Sequence, residues 1–224
     1  MKKGKLIVLE GIDGSGKSAQ YRRICEKLSR DGIGYDHIVF PRYDKDSSAL
    51  IRMYLGGEFG SHPNDVNAYT ASTFFAVDRF ASYKQDWGEK YESGSFILSD
   101  RYTTSNAVHQ GSKLPDSELE TFFSWLSDLE YSKMGLPQPD LVIYLDVDIE
   151  TSLSRMRRRQ EKNNTSADIH ENDIEYLKRC LNTANRAADF YGWHRIAFMT
   201  NGHERNIDEK NEEIYRLILS ELEK

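Results

Sequence analysis

Only two cysteines, Cys25 and Cys180, occur in 224 residues, and they lie far apart in helical patterns. That supplies neither a disulfide framework nor a zinc spacing, and it suits a reducing compartment. Positive charge is also in deficit. The net charge is −6 with a pI near 5.6, so there is no basic footprint of the kind that binds nucleic acid. No apolar run approaches the length of a membrane span. The apolar residues after the basic start Met1-Lys2-Lys3-Gly4-Lys5 are too few for a signal peptide. Internal repeats, low-complexity tracts and linker-like stretches are missing too. These absences predict one domain over residues 1–224, cytoplasmic, with neither a nucleic-acid nor a membrane partner.

What is present is an alternation of short apolar runs and amphipathic stretches. Leu6-Ile7-Val8-Leu9, His37 to Phe40, Ser95 to Asp100, Leu141 to Val147 and Ile196 to Met199 read as five strands. Between and after them, Ser18 to Arg30, Asp65 to Gln85, the stretch from Leu119 to Leu129, Asn172 to Tyr191 and the run from Ile214 to Leu222 carry apolar residues at helical spacing. Strands that are apolar throughout belong to a parallel sheet covered by helices on both faces, so the predicted class is α/β. Ligands bind such a sheet beyond the carboxyl ends of its strands.

The chain is organised around Glu10-Gly11-Ile12-Asp13-Gly14-Ser15-Gly16-Lys17-Ser18, which fills every position of G-x-x-x-x-G-K-[ST]. A strand before it and a helix after it give the context in which backbone N–H groups turn onto a phosphate. Gly11, Ile12, Asp13, Gly14, Ser15, Gly16, Lys17 and Ser18 are therefore the nucleotide-binding candidates. Lys17 is placed along the β- and γ-phosphates and the Ser18 hydroxyl towards Mg²⁺. Asp13 is an acid among phosphate-binding groups. It is either a turn residue of an Asp-Gly pair, or it faces away, towards a sugar hydroxyl or an arginine of an acceptor site. Asp100 ends the third apolar run and pairs with Ser18 as a candidate metal corner.

Two arginines follow strand ends: Arg42 after the second run and Arg101 after the third. Guanidinium forks match phosphate bidentately, so the two can converge on one phosphate. A third basic feature is Arg155-Met156-Arg157-Arg158-Arg159, in which Arg155 and Arg159 share a helix face. A polar stretch follows it, the composition of a closing lid, over about residues 155–171.

The set of motifs resembles the thymidylate kinase family of P-loop nucleoside monophosphate kinases. The resemblance rests on the P-loop, on Phe40-Pro41-Arg42, on Phe75 to Arg79 (F-A-V-D-R), on Asp100 to Asn106 (D-R-Y-T-T-S-N) and on Pro139 to Val147. It implies a five-stranded parallel sheet of order 2-3-1-4-5, a homodimer, and Mg²⁺-dependent transfer of the ATP γ-phosphoryl group to dTMP. It assigns Asp13 to the acceptor's 3'-hydroxyl, Arg42 and Arg101 to the acceptor phosphate, Phe75 to stacking on thymine and Arg79 to its exocyclic oxygen. Ser105, Asn106 and Gln110 complete the contacts to base and sugar. Lys17, Arg42, Arg101, Asp13, Arg155 and Arg159 form the implied catalytic set.

The chain departs from the family pattern in three places. Gly14 stands where some members carry a P-loop arginine, which leaves the basic lid to supply that charge. Asp168-Ile169-His170-Glu171 replaces the usual Asp-Arg-x-Glu, and His109 replaces a tyrosine that blocks a ribose 2'-hydroxyl. A deoxynucleoside kinase shares the loop but needs a base and no phosphate clamp. A GTP switch would need N-K-x-D, which the sequence lacks.

Overall fold

Five all-apolar or half-apolar runs become the strands of one parallel sheet. β1 (Leu6–Glu10) is buried at every position and lies at its centre, with β3 (Ile97–Asp100) on one side and β4 (Leu141–Asp146) on the other. β2 (Asp36–Val39) and β5 (His194–Ala197) complete the order β2-β3-β1-β4-β5 as the edges. A strand covered on both faces has no solvent side for polar residues, which is why β1, β3 and β4 are apolar runs rather than alternating ones. The computed structural model describes residues 3–163, 174–200 and 203–224, except for the side chains of residues 159–163.

Nine α-helices pack around the sheet among the described residues. They are α1 (Lys17–Arg30), α2 (Ala49–Leu55), α3 (Ala68–Ser82), α4 (Gly88–Glu92), α5 (Thr103–His109), α6 (Leu119–Ser127), α7 (Ile149–Asn163), α8 (Ile174–Tyr191) and α9 (Ile207–Leu222). The main apolar cluster joins the strands to Ile24 and Leu28 of α1, Phe122 and Phe123 of α6, and Ala184 and Ile214 from α8 and α9. A satellite cluster of Ile51, Tyr54, Leu55 and Ala71 ties α2 to α3, with Phe74 and Phe75 against it.

Several local features differ from the expectation. The helix expected over Asp65 to Gln85 begins at Ala68, where Asn67 accepts the Thr70 amide as N-cap, and passes at Ser82 into a π-turn over Tyr83–Trp87. A second π-turn, Asp128–Lys133, extends α6. The fifth strand starts two residues earlier than expected and stops at Ala197. Beyond it, β6 (Met199–Thr200) and β7 (His203–Glu204) pair as a short antiparallel ladder.

Candidate active site

The carboxyl ends of β1, β2 and β3 lie side by side, since Leu9 and Val39 both pair with Asp100. The P-loop leaves β1 there and enters α1 with Gly16 as N-cap in a left-handed conformation (φ 85°). Gly14 is also left-handed (φ 77°), and a Cβ there would stand 2.3 Å from the Ser152 carbonyl oxygen, so only glycine fits. The first-turn amides of α1 have no carbonyl four residues back to receive them, and the helix dipole adds partial positive charge. The Ser18 hydroxyl is exposed at this turn. Lys17 is buried and ion-paired with Asp100. Burial, and then the charge of Arg101, push its pKa down against the pull of Asp100.

Next to this donor-type loop stands a network of buried charge. Glu10, fully buried, accepts the Gly11 amide (2.8 Å), the Thr104 hydroxyl (2.5 Å) and the Ser105 hydroxyl (2.7 Å). Arg101 reaches it at 3.5 Å, pairs with Asp13 at 2.7 Å, and donates to Ser105 at 3.2 Å. Burial opposes the Arg101 charge, but the Asp13 and Glu10 carboxylates outweigh it and hold its pKa above the ordinary value. Arg101 is held at φ 68°, a conformation that costs a non-glycine residue of order 1 kcal/mol. Its amide donates to the Leu9 carbonyl (3.1 Å) and its carbonyl accepts Ser99 Oγ (2.5 Å), which fixes that backbone against relaxation.

His109 Nε2 lies 3.1 Å from Arg101 Nη1. A guanidinium only donates, so this nitrogen is the acceptor and the ring is neutral. Burial, and then the Arg101 charge, carry its pKa down to about 4, which agrees.

A second buried carboxylate, Glu130, organises α3 and α5. Arg79 grips it with two bonds, 2.6 Å from Nε and 2.5 Å from Nη2, while Thr103 (2.7 Å) and Asn106 (3.2 Å) donate to the same group. Arg79 is itself buried, and Glu130 overcomes the burial penalty to raise its pKa. One turn before Arg79 on α3, Phe75 is half-buried and meets the Tyr54 ring edge-on at 6.4 Å. Gln110 is buried, and its Oε1 has no hydrogen-bond partner among the described residues, an acceptor oxygen without a donor.

Arg42 is held by a third acid. Asp78, fully buried, accepts the Arg42 amide (2.9 Å), Nε (3.2 Å) and the Ser47 hydroxyl (2.6 Å), and Arg42 also pairs with Asp86. Arg42 and Arg101 thus follow neighbouring strand ends, each on its own carboxylates.

Among the lid residues, Arg155 lies against the P-loop, donating to the carbonyls of Ser15 (3.1 Å) and Gly14 (3.4 Å), and Arg157 and Arg158 are exposed. The side chain of Arg159 and the segment Asp168-Ile169-His170-Glu171 lie outside the described residues. Sequence reasoning assigned no role to Glu10, Asp78 or Glu130. The available signal was an acid on an apolar stripe: Glu130 falls one turn after Leu126, and Asp78 two turns after Ala71.

The loop thus presents backbone amides and Lys17 at a helix N-terminus, and Arg42 and Arg101 follow the two neighbouring strand ends. A family model described as thymidylate kinase matches residues 9–214. The thymidylate kinase of Mycobacterium tuberculosis is 30% identical over 176 residues, covering 78% of this chain and 81% of that protein. That of Brachyspira hyodysenteriae is 32% identical over 158 residues, 70% of each chain. Among solved structures, a thymidylate kinase from Candida albicans shares the fold, with a TM-score of 0.70 at 21% identity over 97% of this chain and 92% of that one.

Proposed function

The chain belongs to the thymidylate kinase family, whose members phosphorylate dTMP with ATP to give dTDP and ADP, and we propose how its residues divide that task. The observation that carries the reading is the set of three arginines, each fixed by a buried acid: Arg42 on Asp78, Arg79 on Glu130 and Arg101 on Glu10. ATP occupies the loop from Gly11 to Ser18, its phosphates on the backbone amides and Lys17. Arg42 and Arg101 hold the phosphate of dTMP in line. Asp13 takes the 3'-hydroxyl, and its bond to Arg101 couples sugar recognition to the phosphate clamp. Phe75 stacks on thymine, Arg79 and Gln110 meet its polar edge, and Ser105 and Asn106 border base and sugar.

Chemistry here is positioning and electrostatics. The attacking phosphate oxygen is already anionic near neutral pH, its second pKa being about 6 by analogy with phosphorylated side chains, so no general base is required. The basic stretch that begins at Arg155 adds positive charge near the donor phosphates. Among the described residues no cluster of three acids, histidines or cysteines could hold a metal unaided. Exposed Ser18 and buried Asp100 offer oxygen donors suited to Mg²⁺, and nucleotide phosphates and water would supply the remaining ligands. Bound there, Mg²⁺ neutralises charge on the β- and γ-phosphates. Asp100 would help to hold Mg²⁺ and Lys17 would pair with phosphate, in place of the ion pair the two make with each other.

The reading extends to one kinase unit over 1–224 with a lid at about 155–171, a cytoplasmic location and a homodimer. No helix among the described residues is long and apolar enough to cross a membrane. Exposed Val77, on the outward face of α3, offers an apolar contact for a second copy.

The test is Mg²⁺-dependent ADP release from ATP with dTMP, dUMP, UMP, CMP, GMP, AMP and thymidine as separate acceptors. Fast turnover with dTMP, weaker with dUMP and negligible with the rest is expected. Comparable turnover with UMP would show that His109 does not exclude the 2'-hydroxyl. Activity with thymidine and none with dTMP would overturn the assignment of Arg42 and Arg101.

A further inference from the structure

Three successive P-loop carbonyls are held from outside by α7. Ser152 Oγ donates to the Asp13 carbonyl at 2.5 Å, and Arg155 Nη1 donates to those of Gly14 and Ser15. A trans peptide carries its N–H opposite its carbonyl. Fixing these three oxygens towards α7 therefore turns the amides of Gly14, Ser15 and Gly16 away from it, towards the interior of the loop. The Ser15 amide closes the loop on the Ile12 carbonyl (3.1 Å), which leaves the two glycine amides for a phosphate.

Arg155 is in turn seated in a cage. Its guanidinium lies 5.1 Å from the centre of the Phe198 ring, over which Lys210 Nζ stands at 3.6 Å. Glu204 of β7 pairs with both cations. Phe198 and Lys210 are nearly inaccessible, at 2% and 1% exposure, so the cage is built rather than incidental. Gly16 lies beneath it at φ 85°, a conformation that favours glycine, and a Cβ there would stand 3.1 Å from Arg155 Nη1.

We propose that Arg155 is a positioning residue for the phosphate cradle: held by Phe198, Glu204 and Lys210, it fixes the P-loop peptides so that their amides face the donor's α- and β-phosphates. The inference rests on the reading of the P-loop as the ATP site. It separates Arg155 from the other lid arginines, because its guanidinium is spent on backbone carbonyls and Glu204 rather than on the migrating phosphoryl group. The two roles have different signatures. A cradle effect is felt by ADP and ATP alike, whereas a contact made only in the transition state lowers kcat and leaves ground-state binding unchanged.

The experiment measures Mg·ADP and Mg·ATP affinity by calorimetry, without acceptor, for the wild type, Arg155→Ala, Arg155→Lys and Glu204→Gln, together with kcat at saturating substrates. The expected result is a loss of about tenfold in affinity for both nucleotides in Arg155→Ala, by the same factor, with kcat changed far less. Arg155→Lys recovers part of the loss, and Glu204→Gln shows a smaller, equal loss for both. Unchanged ADP affinity in Arg155→Ala with a kcat fall of a hundredfold or more would overturn the proposal and make Arg155 a contact to the transferring group. Glu204→Gln replaces a half-exposed pair partner, so it reports even where Arg155→Ala fails to fold. If it left both affinities at wild-type values, the cage would have no positioning role. A wild type that binds neither nucleotide would contradict the ATP-site reading itself.

Discussion

In the proposed division of this site, the donor and acceptor halves are built by opposite means. On the donor side, recognition falls to backbone: glycines at 14 and 16 in left-handed conformations, a helix N-terminus, and one ion pair, Lys17 with Asp100. On the acceptor side, it falls to side chains. Arg101 sits on Glu10 and Asp13, Arg79 on Glu130, and Arg42 on Asp78, so that segments distant in sequence fix each other's geometry. A polyphosphate offers the same oxygens in every nucleotide, so amides suffice. A particular base and monophosphate need donors aimed one at a time, and long cations stay aimed only when a buried acid fixes them. Such pairs contribute little net stability, but breaking one is costly because the surviving charge is stranded.

That contrast can be broken most severely at Arg101. Arg101→Ala should lower kcat/KM for dTMP by about 10³-fold or more, as removal of a fixed charge at a reacting phosphate does, while ATP affinity stays near wild type. It also strands Glu10, so unfolding free energy should fall by ~3–5 kcal/mol, read by denaturant titration. Retention of most of the dTMP kcat/KM would remove Arg101 from the acceptor site. Next comes Glu130→Gln, which leaves Arg79 buried without its counter-charge. Stability should fall by about 3 kcal/mol and KM for dTMP should rise, whereas KM for ATP should not move. An equal rise for ATP would mean that the two halves are not separable. Asp78→Asn keeps the shape around Arg42 but weakens its anchor. A loss of ~10-fold in kcat/KM for dTMP is expected, again without an ATP effect in initial-rate measurements.

The smallest effect is a pH dependence. A histidine whose folded pKa lies near 4 binds its proton more weakly than the unfolded chain does. Folding stability therefore falls as pH drops from about 6.5 towards 4, and it is insensitive to His109 above that window. The imidazole resonances of His109 should accordingly show no titration between pH 5.5 and 8 by NMR. A midpoint near 6.5 would contradict the Arg101–His109 contact.

The same contrast explains what the sequence disclosed. The P-loop is nine consecutive residues whose chemistry is local, and Asp100-Arg101 follows directly from a strand end, so both were legible. The strand order depends on pairing between distant segments and was accessible only through family resemblance. Helix α5 escaped notice because most of its inward residues are polar: Thr104 and Ser105 bond Glu10, Thr103 and Asn106 bond Glu130, and only the adjacent Ala107 and Val108 join the apolar core, too few for a stripe. The two acids that take its polar residues lie 24 to 95 residues away in sequence. β6 and β7 are two residues each, too short for any periodicity. Arg155 was noticed for its charge, but the carbonyls it faces are a property of the folded loop.

If Arg42 and Arg101 form the clamp for the acceptor phosphate, losing Arg101 costs affinity for dTMP and not for the donor nucleotide, although Arg101 is anchored on Asp13 of the P-loop. Calorimetric affinities for dTMP, thymidine and Mg·ADP, measured on the wild type and on Arg101→Ala, test it most directly. Wild type is expected to prefer dTMP to thymidine by about a hundredfold or more, since two charge-assisted arginine–phosphate contacts contribute roughly 1.5–3 kcal/mol each. In Arg101→Ala this preference is expected to fall by about tenfold or more, with Mg·ADP affinity unchanged. Equal wild-type affinity for dTMP and thymidine, or a loss in the variant that falls equally on Mg·ADP, would contradict it.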